Sequence, residues 1–334
     1  MSPHSAEPGV VSRDLSVNTS GCLGVTRPGS LRRLAYLRRP EQPGTLGPRE
    51  VRIAVYAAGL NFRDILTVVG RYPTTQLLLG LEAAGVVIGA GAEVRDLAVG
   101  DRVFGLAKGA FGAVTTTDER LVALLPPDWT YAQGASVSVA FLTAIMALEV
   151  CAGLRPGQTV LVHAAAGGVG MAAVQLAFQR GAEVFGTAQP AKWPMLKAAG
   201  LDDAHLASTR DLEFAEKFEA ATEGRGLDVI VNSLAGDYAR HSARLVGATG
   251  HFVELGLTDR APASPGKWHR LHLDSADKGW FQPTLYRLVA MFSRGELRHL
   301  PLTLFDISQA QEAFQLMARS RHVGKVVLTL TPGE

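Results

Sequence analysis

Glycine is concentrated in residues 163–170, whose sequence is His-Ala-Ala-Ala-Gly-Gly-Val-Gly. An apolar run precedes this segment and a helical pattern follows it, which indicates a strand, a tight turn and a helix. Glycine has no Cβ, so the backbone of such a turn comes close to a ligand, and the first N–H groups of the helix attract an anion. The spacing is not the usual G-x-G-x-x-G, and a glycine turn without a ligand is the alternative. The segment predicts a site for the pyrophosphate of a dinucleotide, formed by Ala166, Gly167, Gly168, Val169 and Gly170.

Apolar strand patterns recur after the glycine turn, with helical patterns between them. This alternation is typical of a doubly wound parallel sheet, an α/β architecture that binds dinucleotides at the carboxyl ends of its strands. The predicted strands are residues 160–162, 183–188, 204–208, 227–234 and 251–256.

The end of the second strand of this sheet indicates which nicotinamide cofactor would bind. NAD enzymes carry an Asp or Glu there, which accepts a hydrogen bond from the ribose 2′-hydroxyl. Residues 186–192, Gly-Thr-Ala-Gln-Pro-Ala-Lys, contain no carboxylate and end in a cation. Lys192, with Ser208 and Arg210 after the third strand, would suit a 2′-phosphate instead. The pattern predicts NADPH, although a solvated lysine at a helix start would explain Lys192 taken alone.

Composition excludes several classes of partner and site. The 334 residues are 47% hydrophobic and carry a formal charge of +2, which favours two domains and gives no case for nucleic acid or an acidic membrane surface. Cys22 and Cys151 are too few for a disulfide framework or a cysteine-rich zinc site. We find no apolar run long enough to span a bilayer and no signal-peptide pattern, so we expect a cytoplasmic protein.

Outside this region the sequence indicates a β-rich domain with little helix. Residues 324–330 form a last strand pattern, which we expect to return to the sheet of that first domain, so that the dinucleotide-binding domain is an insertion. The other strand patterns are residues 50–58, 80–88, 101–105 and 113–116, and the helical patterns are 133–150, 281–295 and 308–320. The predicted divisions are a linker or disordered tail at 1–20, a substrate domain at 21–145 and 280–334, and a dinucleotide-binding domain at 146–279.

Several motifs taken together indicate a family. Over roughly residues 20–330 the chain resembles the enoyl reductase domains of modular polyketide synthases, within the medium-chain dehydrogenase/reductase superfamily. The resemblance implies a GroES-like β-rich substrate domain with an inserted Rossmann domain. The motifs are Gly-Leu-Asn-Phe-Arg-Asp at 59–64, Gly-Arg-Tyr-Pro at 70–73, Glu-Ala-Ala-Gly-Val-Val at 82–87, the glycine turn, Val-Asn-Ser-Leu-Ala-Gly at 231–236 and Gly-Lys-Val-Val-Leu at 324–328.

This resemblance implies a reaction and its partners. The reaction is the NADPH-dependent reduction of the α,β double bond of an enoyl thioester, carried as enoyl-phosphopantetheine on an acyl carrier protein in polyketide or fatty acid biosynthesis. Neighbouring synthase domains would be further partners, and the choice between monomer and homodimer stays open. The resemblance also implies no metal, because Asn61 stands where zinc-dependent relatives carry a cysteine ligand.

Individual residues also receive roles from the resemblance. Tyr72 would donate the proton to the α-carbon and influence the configuration of an α-methyl group, and Asp274 matches an aspartate that supports a lysine donor. This chain has Leu257 in place of that lysine. Either Tyr72 or water then supplies the proton, or stereocontrol is altered, or the domain is inactive. The residues that would line the cofactor are Asn61, Thr143, Asn232, Leu234, Gly256, Leu257 and Lys325.

Two other functions stay open from the sequence. Quinone or enone oxidoreductases of the same superfamily reduce free small molecules. A reductase-like domain without activity would instead be a structural part of a synthase. Leu257 favours that structural domain, whereas the intact glycine turn and Lys192 argue against it.

Overall fold

The computed structural model describes residues 10–12, 21–38, 45–74, 77–256 and 263–330. The chain divides into two compact units. The first takes the described residues up to Val139, together with Asp277–Val289 and those from Pro301 onward. The second takes Ala140–Ala276 and Ala290–Leu300. The chain therefore leaves the first unit and returns to it, so the second unit is inserted.

Strands and helices are numbered along the chain. The strands are β1 (Val10–Ser12), β2 (Cys22–Val25), β3 (Leu34–Leu37), β4 (Glu50–Leu60), β5 (Glu82–Ala90), β6 (Arg102–Leu106), β7 (Val114–Asp118), β8 (Val122–Leu124), β9 (Thr159–Val162), β10 (Glu183–Ala188), β11 (Leu206–Ser208), β12 (Leu227–Asn232), β13 (Val246–Glu254), β14 (Lys267–Arg270), β15 (Leu302–Asp306) and β16 (Lys325–Thr329). The helices are α1 (Phe62–Val68), α2 (Tyr131–Gly134), α3 (Ser138–Ile145, continued by a π-helical segment, Met146–Cys151), α4 (Gly168–Gln179), α5 (Trp193–Ala198), α6 (Glu213–Ala221), α7 (Asp237–Arg244), α8 (Lys278–Ser293) and α9 (Ala310–Ala318).

Strand β4 organises the first unit. The larger sheet has the order β15-β16-β4-β5-β6-β8, with β7 also paired to β4, and a smaller sheet has the order β1-β3-β2. Along its first seven residues β4 alternates between buried and more exposed positions, and its last four residues are all buried. β16 pairs antiparallel with this buried end, from Val326 opposite Leu60 to Thr329 opposite Ala57. This pairing confirms that the last strand returns to the sheet of the first domain.

The second unit is built on a parallel sheet with the order β11-β10-β9-β12-β13-β14. Counted from β9, this is the order 3-2-1-4-5-6 of the doubly wound dinucleotide-binding fold. Every residue of β9 and all but one of β12 are buried, as in strands of a sheet that is covered on both faces. The predicted doubly wound parallel sheet is confirmed.

Three elements differ from the sequence predictions. β1 pairs with β3, with Val10 opposite Leu37, so the tail predicted for residues 1–20 includes a strand. α1 follows β4 directly, where little helix was expected. β14 forms an edge of the parallel sheet within residues 257–279, where no strand pattern was predicted. Its four residues are mostly polar and none is buried, so it lacks the apolar pattern on which strand prediction depends.

One stretch, Tyr131–Cys151, is long and apolar enough to cross a membrane by length and composition. This differs from the expectation that no run is long enough. In the protein 78% of its most apolar window is buried, which is how the core helix of a folded domain behaves. It is the one stretch of that kind in the part of the chain that the structure describes.

Candidate functional site

The glycine turn of the second unit joins β9 to α4. Gly167 precedes the helix, and α4 begins at Gly168. Ala164 has a φ of 50°, which is uncommon for a residue that carries a Cβ. At Gly170 a Cβ would come within 2.4 Å of the Ala164 carbonyl oxygen. Only glycine fits at position 170, because α4 packs directly against the backbone of the turn.

This turn lies where the order of the strands reverses. On one side the Ala165 N–H donates to the Thr187 carbonyl of β10 (2.9 Å), and on the other the His163 N–H donates to the Val231 carbonyl of β12 (3.1 Å). Ligands of open α/β sheets bind at this position. The first N–H groups of α4 have no partner within the helix, so they are donors for an anion placed at the turn.

A buried histidine at the end of β9, His163, connects the turn to two neighbouring elements. His163 Nδ1 lies 2.8 Å from Thr187 Oγ1, and Nε2 lies 2.7 Å from Ser242 Oγ. The Ser242 hydroxyl donates its single hydrogen to the Tyr238 carbonyl (2.7 Å), so it accepts from a protonated Nε2, and Nδ1 accepts from Thr187. Burial lowers the pKa of His163 to about 3, which keeps the ring neutral. The ring thereby ties β9 to both β10 and α7.

Two cations lie together beyond the ends of β10 and β11. These strands run parallel with Ala188 opposite Ser208, and Lys192 and Arg210 follow them. Lys192 is half-buried, and its pKa is lowered first by burial and then by the charge of Arg210. The Arg210 N–H donates to Ser208 Oγ (2.9 Å). Two cations that repel each other favour a shared anion between them, so this place suits a phosphate.

At the ends of β12 and β13, an amide and a carboxylate shape two loops. Asn232 Nδ2 donates to Glu254 Oε2 (2.7 Å) and to the Leu234 carbonyl (2.8 Å), and its Oδ1 accepts from the Leu234 N–H (3.2 Å). Glu254 Oε1 accepts from the Gly256 N–H (2.6 Å). Burial raises the pKa of Glu254. Of the residues predicted to line the cofactor, Asn232, Leu234 and Gly256 are thus joined in one network.

In the first unit the predicted residues Asn61 and Lys325 lie in a buried ionic cluster with Glu82. Glu82 Oε1 accepts from Lys325 Nζ (2.7 Å) and from Asn61 Nδ2 (2.9 Å). Lys325 Nζ also donates to Asn61 Oδ1 (2.8 Å) and to the Leu60 carbonyl (3.2 Å). Asn61 Nδ2 gives a further bond to the Gly59 carbonyl (3.1 Å).

This cluster uses every donor of the two predicted residues. An ammonium has three hydrogens and an amide nitrogen has two, and the bonds above account for all five. Asn61 and Lys325 therefore have no side-chain hydrogen left for a ligand in this arrangement. Any part they have in cofactor binding would come from their shape and from the backbone that they hold.

Two carboxylates fix the backbone around the cluster. Glu82 Oε2 accepts from the Val139 N–H (2.8 Å) in the first turn of α3. Asp64 accepts from the Asn61 N–H (2.9 Å) and the Gly80 N–H (3.0 Å), which ties the start of α1 to the loop before β5. Burial raises the pKa of Asp64 to about 6, although both of these bonds act to lower it.

Tyr72, the predicted proton donor, follows α1 and is half-buried. Its N–H donates to the Leu66 carbonyl at 3.1 Å. The guanidinium carbon of Arg63 lies 4.6 Å from the centroid of its ring. Arg63 also borders a small pocket, whose other lining residues are Asp64, Thr67, Thr74, Leu78, Leu79 and Leu81.

Comparisons with known proteins fit this arrangement. Residues 47–127 match the alcohol dehydrogenase GroES-like domain, and residues 201–328 match the zinc-binding dehydrogenase family. Over 298 residues the chain is 50% identical to the pikromycin polyketide synthase component PikAII of Streptomyces venezuelae, covering 87% of this chain and 8% of that protein. The crystal structure of the CurK enoyl reductase matches with a TM-score of 0.84 at 34% identity, covering 93% of this chain and 99% of that one. The chain belongs to the enoyl reductase family of modular polyketide synthases.

Membership of this family places the enoyl reductase domain among the oxidoreductases of the medium-chain dehydrogenase/reductase superfamily, whose fold binds a nicotinamide cofactor. The mycobacterial protein Rv1454c was solved in complex with NADPH. It matches with a TM-score of 0.84 at 26% identity, covering 93% of this chain and 100% of that one. The chain spans only 8% of the length of PikAII, so the activity and partners of a whole synthase do not follow from the match.

One of the matching families is named for zinc binding. Within the described ranges of this enoyl reductase, no group of three or more His, Cys, Asp or Glu side chains is placed to hold a metal ion. Asn61, for which the sequence resemblance predicts the position of a cysteine ligand, is bonded to Glu82 and Lys325.

The remaining predicted residues lie in different settings. Thr143 is buried in α3. Asp274 is exposed in a short 3-10 turn, Leu273–Ser275. Lys278, the lysine nearest to Asp274 in sequence, donates a hydrogen bond to Asp118 at 3.1 Å. Leu257 lies outside the described residues. The roles assigned to all of these residues stay predictions.

Sequence reasoning gave no role to four residues that the structure ties to the predicted site: Arg63, Glu82, His163 and Glu254. Arg63, Glu82 and His163 belong to motifs and Glu254 lies inside a predicted strand, which is the one signal available. Glu82 and His163 have partners far away in sequence, Lys325 and Ser242, so the motif alone does not show what they hold.

Proposed function

We propose that this enoyl reductase domain reduces the α,β double bond of an enoyl thioester carried on an acyl carrier protein, with NADPH as the reductant. The observation that carries the proposal is the match to the CurK enoyl reductase over 99% of that chain at 34% identity. The curated relative PikAII is a polyketide synthase, which supports an acyl carrier protein and neighbouring synthase domains as partners. A cytoplasmic location goes with that setting.

The cation pair supports NADPH over NADH. Lys192 and Arg210 lie where a dinucleotide enzyme of this fold meets the ribose, and residues 186–192 contain no carboxylate. The free N–H groups at the start of α4 would bind the pyrophosphate, and Gly170 keeps the helix close to the turn. When bound, NADPH supplies the hydride that reduces the β-carbon.

The remaining requirement is a proton for the α-carbon. Hydride addition leaves an enolate, and its protonation completes the saturated thioester. Tyr72 would give up its phenolic proton and recover one from water. Its position after the Asn-Phe-Arg-Asp motif supports this role, and its half-buried ring leaves part of the side chain accessible. Asp274 is exposed, and this chain has Leu257 where similar domains have the lysine.

A comparison of substrates tests the proposal. Crotonyl-pantetheine, crotonyl-acyl carrier protein and a quinone are offered to the domain with NADPH and, separately, with NADH. We expect the thioesters to be reduced with NADPH, and the carrier-bound form to show the lower KM. Preferential turnover of the quinone would favour the oxidoreductase of free small molecules. A failure to bind NADPH in a fluorescence titration would favour the structural domain.

A further inference from the structure

Arg63 and Tyr72 are held against each other by the same helix. Arg63 lies in the first turn of α1, and the Leu66 carbonyl of that helix accepts from the Arg71 N–H (2.8 Å) and the Tyr72 N–H (3.1 Å). The chain reverses at Gly70, which has a φ of 74° that suits glycine. This reversal brings the Tyr72 ring back over the start of the helix, where the Arg63 guanidinium lies 4.6 Å from the ring centroid.

The guanidinium supplies an orientation that the backbone does not. The bond to Leu66 fixes the Cα of Tyr72 but leaves rotation about the two side-chain torsions of the ring. Tyr72 is half-buried, so part of its side chain faces solvent and is not held by packing. A planar cation over the face of the ring favours one ring plane, and the attraction is stronger where water is partly excluded.

Arg63 is itself well placed to act as a fixed support. It is half-buried and borders the pocket that Asp64, Thr67 and Thr74 also line. Burial raises the pKa of the neighbouring Asp64, and the positive charge of Arg63 is among the influences that lower it. The charge of Arg63 therefore acts on the carboxyl group of its neighbour Asp64 as well as on the tyrosine ring.

We propose that Arg63 is a positioning residue that holds the Tyr72 hydroxyl in the orientation from which it protonates one face of the α-carbon. This inference rests on the proposed function of Tyr72. Without the guanidinium the ring would sample other orientations, so fewer encounters would be productive. Water would then deliver more of the protons, and it reaches either face of the enolate.

The test uses an α-methyl substrate, 2-methylcrotonyl-pantetheine, in heavy water. Arg63→Met keeps much of the side-chain volume and removes the cation, and Tyr72→Phe keeps the ring and removes the proton. We expect Tyr72→Phe to slow turnover about a hundredfold. We expect Arg63→Met to slow it between about twofold and thirtyfold, the range that corresponds to one cation–π contact, and to erode the configuration of the product. KM should change little.

Further variants separate positioning from a structural role. Arg63→Lys keeps a cation near the ring and should recover part of the rate and configuration. Arg71→Met, an exposed arginine in the same turn, should behave as the wild type. In the double variant Arg63→Met/Tyr72→Phe, the rate should equal that of Tyr72→Phe alone, because Arg63 acts through the hydroxyl. Thermal unfolding checks that each variant is folded.

The outcomes are distinct. If Tyr72→Phe lowers the rate while Arg63→Met and Arg63→Lys retain the configuration of the wild type, Arg63 does not position the donor and the inference fails alone. The same holds if the losses from Arg63→Met and Tyr72→Phe multiply in the double variant. If Tyr72→Phe changes neither rate nor configuration, the proposed role of Tyr72 fails and the inference about Arg63 fails with it.

Discussion

Lys325 Nζ lies 2.7 Å from Glu82 Oε1, and both side chains are almost fully excluded from solvent. The pair joins β16 to β5, two strands that do not pair with each other but flank β4 on opposite sides. A buried ion pair pays a large desolvation cost, which is offset only where hydrogen bonds use the remaining lone pairs and protons. Asn61, Leu60 and Val139 supply those bonds here.

Removing one partner of this pair should destabilise the fold more than removing both. Lys325→Met leaves the Glu82 carboxylate buried without its cation, so we expect the free energy of unfolding to fall by about 3 to 5 kcal/mol. The double variant Lys325→Met/Glu82→Gln should recover much of that loss. Lys278→Met, which breaks a bond to Asp118 at a lysine that is 54% exposed, should cost less than about 1 kcal/mol. Urea unfolding measures all three, and equal losses in the single and double variants would contradict this account.

Cofactor preference should depend on Lys192. Lys192→Glu places a carboxylate where we propose that the 2′-phosphate binds, so NADPH affinity should fall several-fold or more while NADH affinity changes less. Lys197→Glu is the matched control, because Lys197 lies on α5 and pairs with Asp203 at 2.6 Å. Fluorescence titration with both cofactors gives the ratio. An unchanged NADPH-to-NADH preference in Lys192→Glu would show that the 2′-phosphate binds elsewhere.

Two glycines of the turn should respond differently to substitution. Gly168→Val adds side-chain atoms where the backbone would approach the pyrophosphate, so we expect lost NADPH binding in a folded protein. Gly170→Ala places a Cβ 2.4 Å from the Ala164 carbonyl oxygen, so we expect a lower unfolding temperature as well. Circular dichroism melting and cofactor titration separate the two effects. Normal NADPH affinity in Gly168→Val would show that the pyrophosphate does not bind at this turn.

Acid should weaken the fold through His163. Its pKa is held at about 3 by burial, so below pH 6.5 the unfolded chain binds a proton that the folded chain does not. His163 therefore has almost no effect on the free energy of unfolding at neutral pH, and it lowers that free energy as the pH falls from 6.5 toward 3. Between pH 7.5 and pH 5 the wild type should lose about 2 kcal/mol more than His163→Gln in urea unfolding.

His205 provides a control of opposite sign. Burial acts to lower its pKa, but bonds to Asp202 (2.7 Å) and Glu183 (3.0 Å) outweigh burial and raise it. The stability that this histidine contributes is present at low pH and is lost as the pH rises through its folded pKa. Relative to His205→Gln, the wild type should therefore gain stability on acidification.

For His163, the contradicting result is a pair of parallel curves of unfolding free energy against pH for the wild type and His163→Gln. Such curves would contradict the assignment of a neutral buried ring.

The parallel sheet could be predicted because its inner strands are short apolar runs bounded by turns and helices. β10 lies at the predicted residues, 183–188, and β9 differs by one residue. β14 could not be predicted in this way, because an edge strand of four mostly polar residues has no apolar pattern. Its place in the sheet comes from pairing with β13, which is a tertiary contact.

The candidate site was predictable only as far as its motifs extend. The positions of the glycine turn and of the cations after β10 and β11 could be predicted from the sequence, because each directly follows a strand. The sequence could not show that Asn61 and Lys325 use all of their side-chain hydrogens within the buried cluster, because Glu82 and Lys325 are 243 residues apart in sequence. Whether a polar side chain faces a ligand or a buried partner is decided by such distant contacts.

The pairing of β16 with β4 also sets a time order for the growing chain. Leu60 pairs with β16, which begins 265 residues later in the sequence and is therefore synthesised later. At about 5 to 20 residues per second, a ribosome takes on the order of 10 to 50 s to make that intervening sequence. During that interval residues 57–60, which are all buried in the finished sheet, present unpaired N–H and C=O groups. Such an apolar strand edge is prone to pair with another chain, so nascent copies should need shielding by chaperones until the final strand emerges.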